Sequence, residues 1–235
     1  MNDRTPHPDR VPRPRRGEGR IFLAEAIRDL RTTGAVAPSG RSLARALTEP
    51  VRTQGDRPLS VLEVGAGTGP FTRALIGRLP RGSHFDIVEA NPRFATGLRT
   101  LVAAHPELPA RSVRATVHET YLEDFKTDER YDVIVSGLPL TNFAPDQVDQ
   151  IMSRLVELLH PGGTLTYFAY LGTRTARALT SSRAEARRHA AVDEVMAGYQ
   201  RRYAVGRWTV WANLPPAYAW HLRSHDAADG TGPSL

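Results

Sequence analysis

Twelve residues, Val61 to Thr72 (VLEVGAGTGPFT), restrict this chain more than any other stretch. A strand-type run from Leu59 to Val64 leads into glycines at 65, 67 and 69, and Pro70 then opens a helix. Glycine is needed where the backbone turns with positive φ or lies flat against a ligand, because a Cβ would collide there. A helix that starts at such a loop also offers unpaired N–H groups to whatever the loop carries. The segment therefore predicts a β–loop–α unit holding a small molecule on Gly65, Ala66, Gly67, Thr68 and Gly69.

The flanking sequence repeats the same unit. Phe85 to Glu89 and Tyr131 to Ser136 read as buried strands, Ser112 to His118 as a third, and Thr164 to Tyr170 as a fifth after a Pro161-Gly162-Gly163 turn. Helical spacing of apolar residues lies between them, clearest from Gln147 to Leu159. Asn91-Pro92 supplies a cap and first turn for another helix. A polar, Arg-rich stretch from Gly172 to about Arg202 reads as a loop and a helix. Tyr203 to Asn213 and Ala217 to Arg223 stand too close for a helical crossover, so they should pair antiparallel. Strands alternating with helices predict an α/β fold: a Rossmann-like, mostly parallel seven-stranded sheet with helices on both faces and a terminal antiparallel pair. Extra helices precede it. Arg20 to Gly34 puts Phe22, Leu23, Ala26, Ile27 and Leu30 on one face, and a second helix carries Leu43, Leu47 and Val51. The expected division is a disordered basic tail at 1–18, a helical cover at 19–58, the main domain at 59–223 and a disordered tail at 224–235.

Two acidic residues refine the ligand. Glu63 stands two residues before Gly65, where a pyrophosphate-binding strand would be apolar. A carboxylate there suits a cationic, amino-acid-bearing cofactor. Glu89 closes the next strand, followed by Ala90, and can accept both ribose hydroxyl protons. Acid-x-Gly-x-Gly-x-Gly with an acid ending the second strand resembles the class I S-adenosylmethionine-dependent methyltransferases. The resemblance implies S-adenosyl-L-methionine as cofactor, and adenine contacts at the end of the third strand, near Glu119 and Thr120.

In these enzymes the fourth strand delivers its end to the transferred methyl. Here that end is Ser136-Gly137-Leu138-Pro139-Leu140. It is similar to the N/D-x-P-aromatic motif of enzymes that methylate nucleobase amines, but Gly137 replaces the Asn or Asp and Leu140 the aromatic ring. A flat base would lose stacking worth ~1–3 kcal/mol, while main-chain carbonyls remain to hold an amine. Arg31 to Leu47, the SGLPLTNF segment from Ser136 to Phe143 and PGGTLTYFAY from Pro161 to Tyr170 resemble the bacterial phosphatidylethanolamine N-methyltransferases. That family implies up to three methyl transfers to an amine headgroup, a phospholipid substrate and an anionic membrane surface as partner. Ser136, Gly137, Leu138, Tyr167 and Tyr170 are the residues expected to hold the amine, with no dedicated strong base. Ser136 also borders the cofactor. The helix from Arg20 to Gly34 would either touch the membrane or pack on the core. The arginines at 174, 177, 183, 187 and 188 would either bind lipid phosphate or form a solvated helix face.

Composition fits a globular chain with a positive surface: 235 residues and a net charge of +6, which favours anionic lipid or nucleic acid. Lys126 is the single lysine, so the choice of arginine reflects composition more than function. There is no cysteine, hence no disulfide framework and no thiol chemistry. No run of about 18 apolar residues spans a membrane, and no ligand spacing suggests a metal. A cytoplasmic, peripherally membrane-associated enzyme is expected. A soluble small-molecule amine is the alternative acceptor. An rRNA adenine is a weaker one, given Gly137, Leu140 and the short sequence after the last strand. A cofactor-binding scaffold without an acceptor is the non-enzymatic alternative.

Overall fold

The computed structural model describes residues 38–171, 183–213 and 215–225. The expected helix from Arg20 to Gly34, the 1–18 tail, Arg174 and Arg177 lie outside these residues, as does nearly all of 224–235.

Seven strands form one sheet in the order β3-β2-β1-β4-β5-β7-β6. They are β1 (Ser60–Val64), β2 (His84–Val88), β3 (Arg114–His118), β4 (Tyr131–Ser136), β5 (Leu159–Tyr170), β6 (Ala204–Val210) and β7 (Ala217–Arg223). The first five run parallel, and β7 enters antiparallel between β5 and β6. The expected terminal pair is therefore present. Because β7 reverses, its start at Ala217 lies beside Tyr170 and Val210. The β6–β7 turn thus shares the sheet edge with the loops after β1 and β4.

Helices cover both faces, as buried strands of this kind require. One face carries α1 (Pro38–Leu47), the short α2 (Glu49–Thr53), α3 (Pro70–Ile76), α4 (Pro92–Ala104) and the single turn α5 (Glu107–Ala110). Leu43, Leu47, Val51, Phe71, Leu75 and Leu98 pack there on Val61, Phe85 and Ile87. The other face carries α6 (Pro145–Glu157) and α7 (Arg183–Tyr203), whose Val148, Met152, Leu155, Val192 and Met196 pack on Leu62, Ile134, Leu165 and Tyr167.

Two boundaries differ from expectation. Pro161-Gly162-Gly163 is not a turn ahead of β5 but a bulge within it. Tyr131 pairs with Leu159, then Val133 pairs with Thr164. Gly162 takes φ +74°, and a Cβ on Gly163 would lie 2.9 Å from the carbonyls of His160 and Tyr131. The second surprise is α1. Its last carbonyls are held by the sheet: Thr166 Oγ1 donates to Leu47 O at 2.9 Å and His221 Nε2 lies 3.0 Å from Ala46 O. Thr48 Oγ1 donates to Ala44 O at 2.7 Å. With Leu47 and Val51 fully buried, residues 38–53 are part of the main core. Among the described residues no helix is long and apolar enough to cross a membrane.

Candidate active site

The site lies where the ends of β1, β2 and β4 meet, and main chain builds it. Gly65 N–H donates to Val88 O at 2.9 Å, Glu89 N–H to His118 O at 3.0 Å, and Gly137 N–H to Val64 O at 2.8 Å. The ladder thus continues one residue beyond each strand and fixes the loops relative to one another. Gly65, Gly67 and Gly69 have φ of +71°, +56° and +81°, the left-handed region that side chains disfavour. A Cβ on Gly67 would meet nothing within 4 Å, so its surface is free to lie against a ligand. Gly69 is walled by Leu98 and Leu101. Arg73, which sequence reasoning missed, donates from α3 to the carbonyls of Thr68 and Gly69 at 2.9 and 3.0 Å. Thr68 itself is exposed and Ala66 is buried.

Gly137 has a steric reason of its own. A Cβ there would stand 2.5 Å from the Gly65 carbonyl oxygen, and a Cβ on Gly65 would stand 2.7 Å from Leu138 Cδ2. The first and fourth loops therefore touch main chain to main chain. The missing side chain that set this segment apart from base-methylating enzymes is what permits that contact.

The two carboxylates differ. Glu89 is buried and fixed by amides of two loops: Oε2 accepts from Gly67 N–H after β1 and Oε1 from Asn91 N–H after β2, each at 2.8 Å. A carboxylate oxygen can accept more than one hydrogen, so capacity remains for ribose hydroxyls. Ala90, between these partners, is half-buried. Glu63 is fully buried. Its Oε2 accepts from Thr72 Oγ1 at 2.7 Å, and Oε1 has no hydrogen-bond partner. Burial pushes its pKa up to about 8, against the pull of Thr72 and with a further push from Glu89. Thr72 is the third residue of α3 and Gly69 has no side chain to cap it, so Glu63 anchors that helix from below.

Sequence reasoning grouped residues that the sheet separates. Tyr167 and Tyr170 are three apart on a strand, so they point to opposite faces. Tyr167 is buried against α7, its hydroxyl accepting from Gln200 Nε2 at 2.7 Å and its ring stacked with Trp220. Tyr170 is half-buried on the α1 face beside Phe168. Burial raises both phenol pKa values above the usual range. As alternative partners for the amine, they would approach it from opposite faces of the sheet. Ser136 is fully buried with its Oγ 3.4 Å from Leu138 N. Leu138 O accepts from Leu140 N–H at 2.9 Å. Glu119 pairs with Arg99 at 2.9 Å at the outer rim, and Thr120 Oγ1 bonds the Tyr121 carbonyl. Both follow β3, beside Glu89. Arg188 donates to the carbonyls of Asn142 and Phe143, pinning the acceptor loop to α7, while Arg187 is exposed. Asp86 was also missed. It is buried under β2 and accepts from Tyr131 Oη at 2.8 Å, with His118 Nε2 at 2.7 Å, which gives His118 a packing role. Among the described residues no cluster of His, Asp or Glu could hold a metal.

S-adenosylmethionine fits this edge on three counts: an open glycine cradle, a carboxylate held by main chain, and a buried carboxyl oxygen of Glu63 without a hydrogen-bond partner. Known proteins agree. The family model described as a methyltransferase domain matches residues 62–165. The ornithine lipid N-methyltransferase of Singulisphaera acidiphila is 30% identical over 146 residues, 61% of this chain and 73% of that protein. The N-methyltransferase NodS from Bradyrhizobium japonicum WM9, in complex with S-adenosyl-L-homocysteine, aligns with a TM-score of 0.61 at 18% identity, over 86% of this chain and 98% of its own. The 1,6-didemethyltoxoflavin-N1-methyltransferase of Burkholderia thailandensis gives 0.60 at 17%, over 93% and 94%. At such identities the two structures speak for the fold alone. The chain belongs to the class I S-adenosylmethionine-dependent methyltransferases. It is an enzyme that uses S-adenosyl-L-methionine.

Proposed function

We propose that the acceptor is the amine of a membrane-lipid headgroup, with phosphatidylethanolamine and its methylated forms first and ornithine lipid second. The acceptor loop carries this reading: next to the glycine cradle it offers main-chain carbonyls and buried apolar side chains, Leu138 and Leu140, with a leucine at 140 where the base-methylating motif has its ring. The relative named for an ornithine lipid supports it, as do the segments from Ser136 to Phe143 and from Pro161 to Tyr170.

When bound, S-adenosylmethionine supplies a methyl group on a sulfonium, open to in-line displacement. The chain's part is to bind and orient. Glu89 and the cradle would hold the ribose and the backbone of the cofactor. Glu63 would meet its amino-acid portion, directly or through water. The carbonyls of Ser136 and Gly137 would align the amine, a positioning effect that carries much of such a rate. The acceptor must be a free base. A lysine-like amine pays ~4 kcal/mol for deprotonation at pH 7, a cost that a desolvated site beside a cation lowers.

The test is to incubate the protein with methyl-labelled S-adenosylmethionine and mixed vesicles of phosphatidylethanolamine and anionic lipid, with ornithine lipid in parallel. Label should appear in the extracted mono-, di- or trimethylated lipid. Tight cofactor binding with no labelled lipid in either series would reject the reading and point to soluble amines.

A further inference from the structure

Resting on the lipid-acceptor reading above, we infer that the enzyme meets the bilayer with the outer edge of the sheet, β6 and the turn that follows it. Among the described residues the exposed large apolar side chains are Val205, Trp208 and Trp211, with 55%, 48% and 71% of their surface accessible. All three lie on this one edge. The chain has three tryptophans, and all fall between positions 208 and 220. From Arg201 to His225 there are four arginines and no Asp or Glu. Arg207 lies over the rings of Tyr218 and Trp220, at 4.6 and 5.3 Å from their centres, and Arg202 over Tyr203. Among the described residues, Arg201 forms an ion pair with Glu194 on α7.

Tryptophan and tyrosine have an apolar body and a polar tip, which suits the layer between headgroups and acyl chains. Arg207, held over aromatic rings at this edge, suits anionic phosphate. A protein partner of matching chemistry would have to be strongly acidic; an anionic bilayer needs no special design. β6 is an edge strand, so its outward N–H and C=O groups would stay unpaired in hydrocarbon. The strand therefore rests in the headgroup layer, and the side chains of Trp211 and Val205 reach deeper.

Position supports the assignment. Val210, Ala217 and Tyr170 are neighbours across β6, β7 and β5, so Trp211 stands at the same end of the sheet as Gly65 and Gly137. The turn is braced: Asn213 Nδ2 donates to Pro215 O at 2.7 Å and Leu171 N–H to Pro216 O at 2.6 Å. Trp208 lies over Gly206, where a Cβ would strike the indole at 2.2 Å, and against His221 at 4.2 Å. β6 stands three strands from β4, so a headgroup arriving beside this edge has roughly 15 Å to cross to the acceptor loop.

The experiment uses the full chain and vesicles of phosphatidylethanolamine with phosphatidylglycerol. Trp211→Ser removes an exposed ring and should leave melting temperature and cofactor affinity unchanged. It should weaken vesicle binding roughly tenfold, and adding Val205→Glu should weaken it about fivefold more. Lipids brominated along the acyl chain should quench the wild-type tryptophan fluorescence, and less so in Trp211→Ser. Methylation of vesicle lipid should fall in step, while methylation of dihexanoyl-phosphatidylethanolamine, dispersed as monomers, should not. Vesicle binding that depends on Trp211 without labelled lipid of any kind keeps the docking edge and removes the acceptor reading. Labelled vesicle lipid with binding unchanged in the double variant overturns the docking edge and keeps the acceptor. A wild-type protein that ignores these vesicles overturns it too. So does a dimer that Trp211→Ser dissolves while vesicle binding stays the same, since the edge would then belong to a second copy.

Discussion

At the ends of β1, β2 and β4 the outward surface is main chain: three glycines with positive φ, a carboxylate tied to two amides, and Gly137 against the Gly65 carbonyl. At the ends of β5 and β6 and the start of β7 it is side chain: Tyr170, Trp211 and Trp208, with Arg207 over the rings of Tyr218 and Trp220. The first region is shaped for a ligand that is the same in every turnover. Main chain has few ways to vary, so it holds one geometry. The second region presents large, polarizable and basic groups, which tolerate a partner without fixed shape. The contrast suggests that cofactor binding and acceptor delivery can be damaged separately.

The largest effect should come from joining a side chain to the main-chain region. Gly137→Ala places a methyl 2.5 Å from Gly65 O, where both partners are backbone and neither can swing away. Overpacking of this sort costs about 1–3 kcal/mol. Cofactor affinity, followed by calorimetry, should fall roughly tenfold to a hundredfold, and vesicle binding should be unaffected. Unchanged cofactor affinity would mean that the two loops are not mechanically linked.

A second effect, smaller for any single pH unit and with a pH signature, concerns Glu63. Its pKa is raised from 4.5 to about 8 by burial, so across that interval the folded protein keeps a proton that the unfolded chain releases. The stabilising contribution is complete below 4.5 and is lost as pH rises through about 8. The slope approaches about 1.4 kcal/mol per pH unit. Denaturant titrations of the cofactor-free protein should show this decline, and Glu63→Gln should flatten it while weakening cofactor binding at high pH. An equal slope in the variant would place the buried proton elsewhere.

The smallest effect sharpens the boundary between the two regions. Tyr167→Phe removes the hydrogen bond from Gln200 and should cost about 1 kcal/mol of stability, with kcat within about twofold. A fall in kcat well beyond tenfold at unchanged stability would move that hydroxyl from the α7 packing to the acceptor.

Much of the first region was legible in the sequence. Glycines required by backbone conformation announce themselves locally, and the acids at 63 and 89 stand at fixed offsets from them. The strands after them followed from hydrophobic pattern, and the closing antiparallel pair from a connection too short for a helical crossover. The misplaced turn at Pro161 to Gly163 shows the limit: Pro and Gly mark a departure from regular pairing but do not say whether the strand stops or bulges. That Tyr167 and Tyr170, alternative partners for the amine, face opposite sides of the sheet was already contained in the two-residue period of a strand.

What the sequence determined by itself was the parallel plan, the glycine loop with its positive φ angles and the two acids that flank it, because each depends on residues close together in the chain. What only the tertiary structure decided depends on register between distant segments. The Gly65–Gly137 contact, Glu63 beneath Thr72, Asp86 beneath Tyr131 and His118, and α1 bound by Thr166 and His221 all join residues brought together by strand order. The same reversal of β7 sets the tryptophans beside the active edge, a placement that no local pattern encodes.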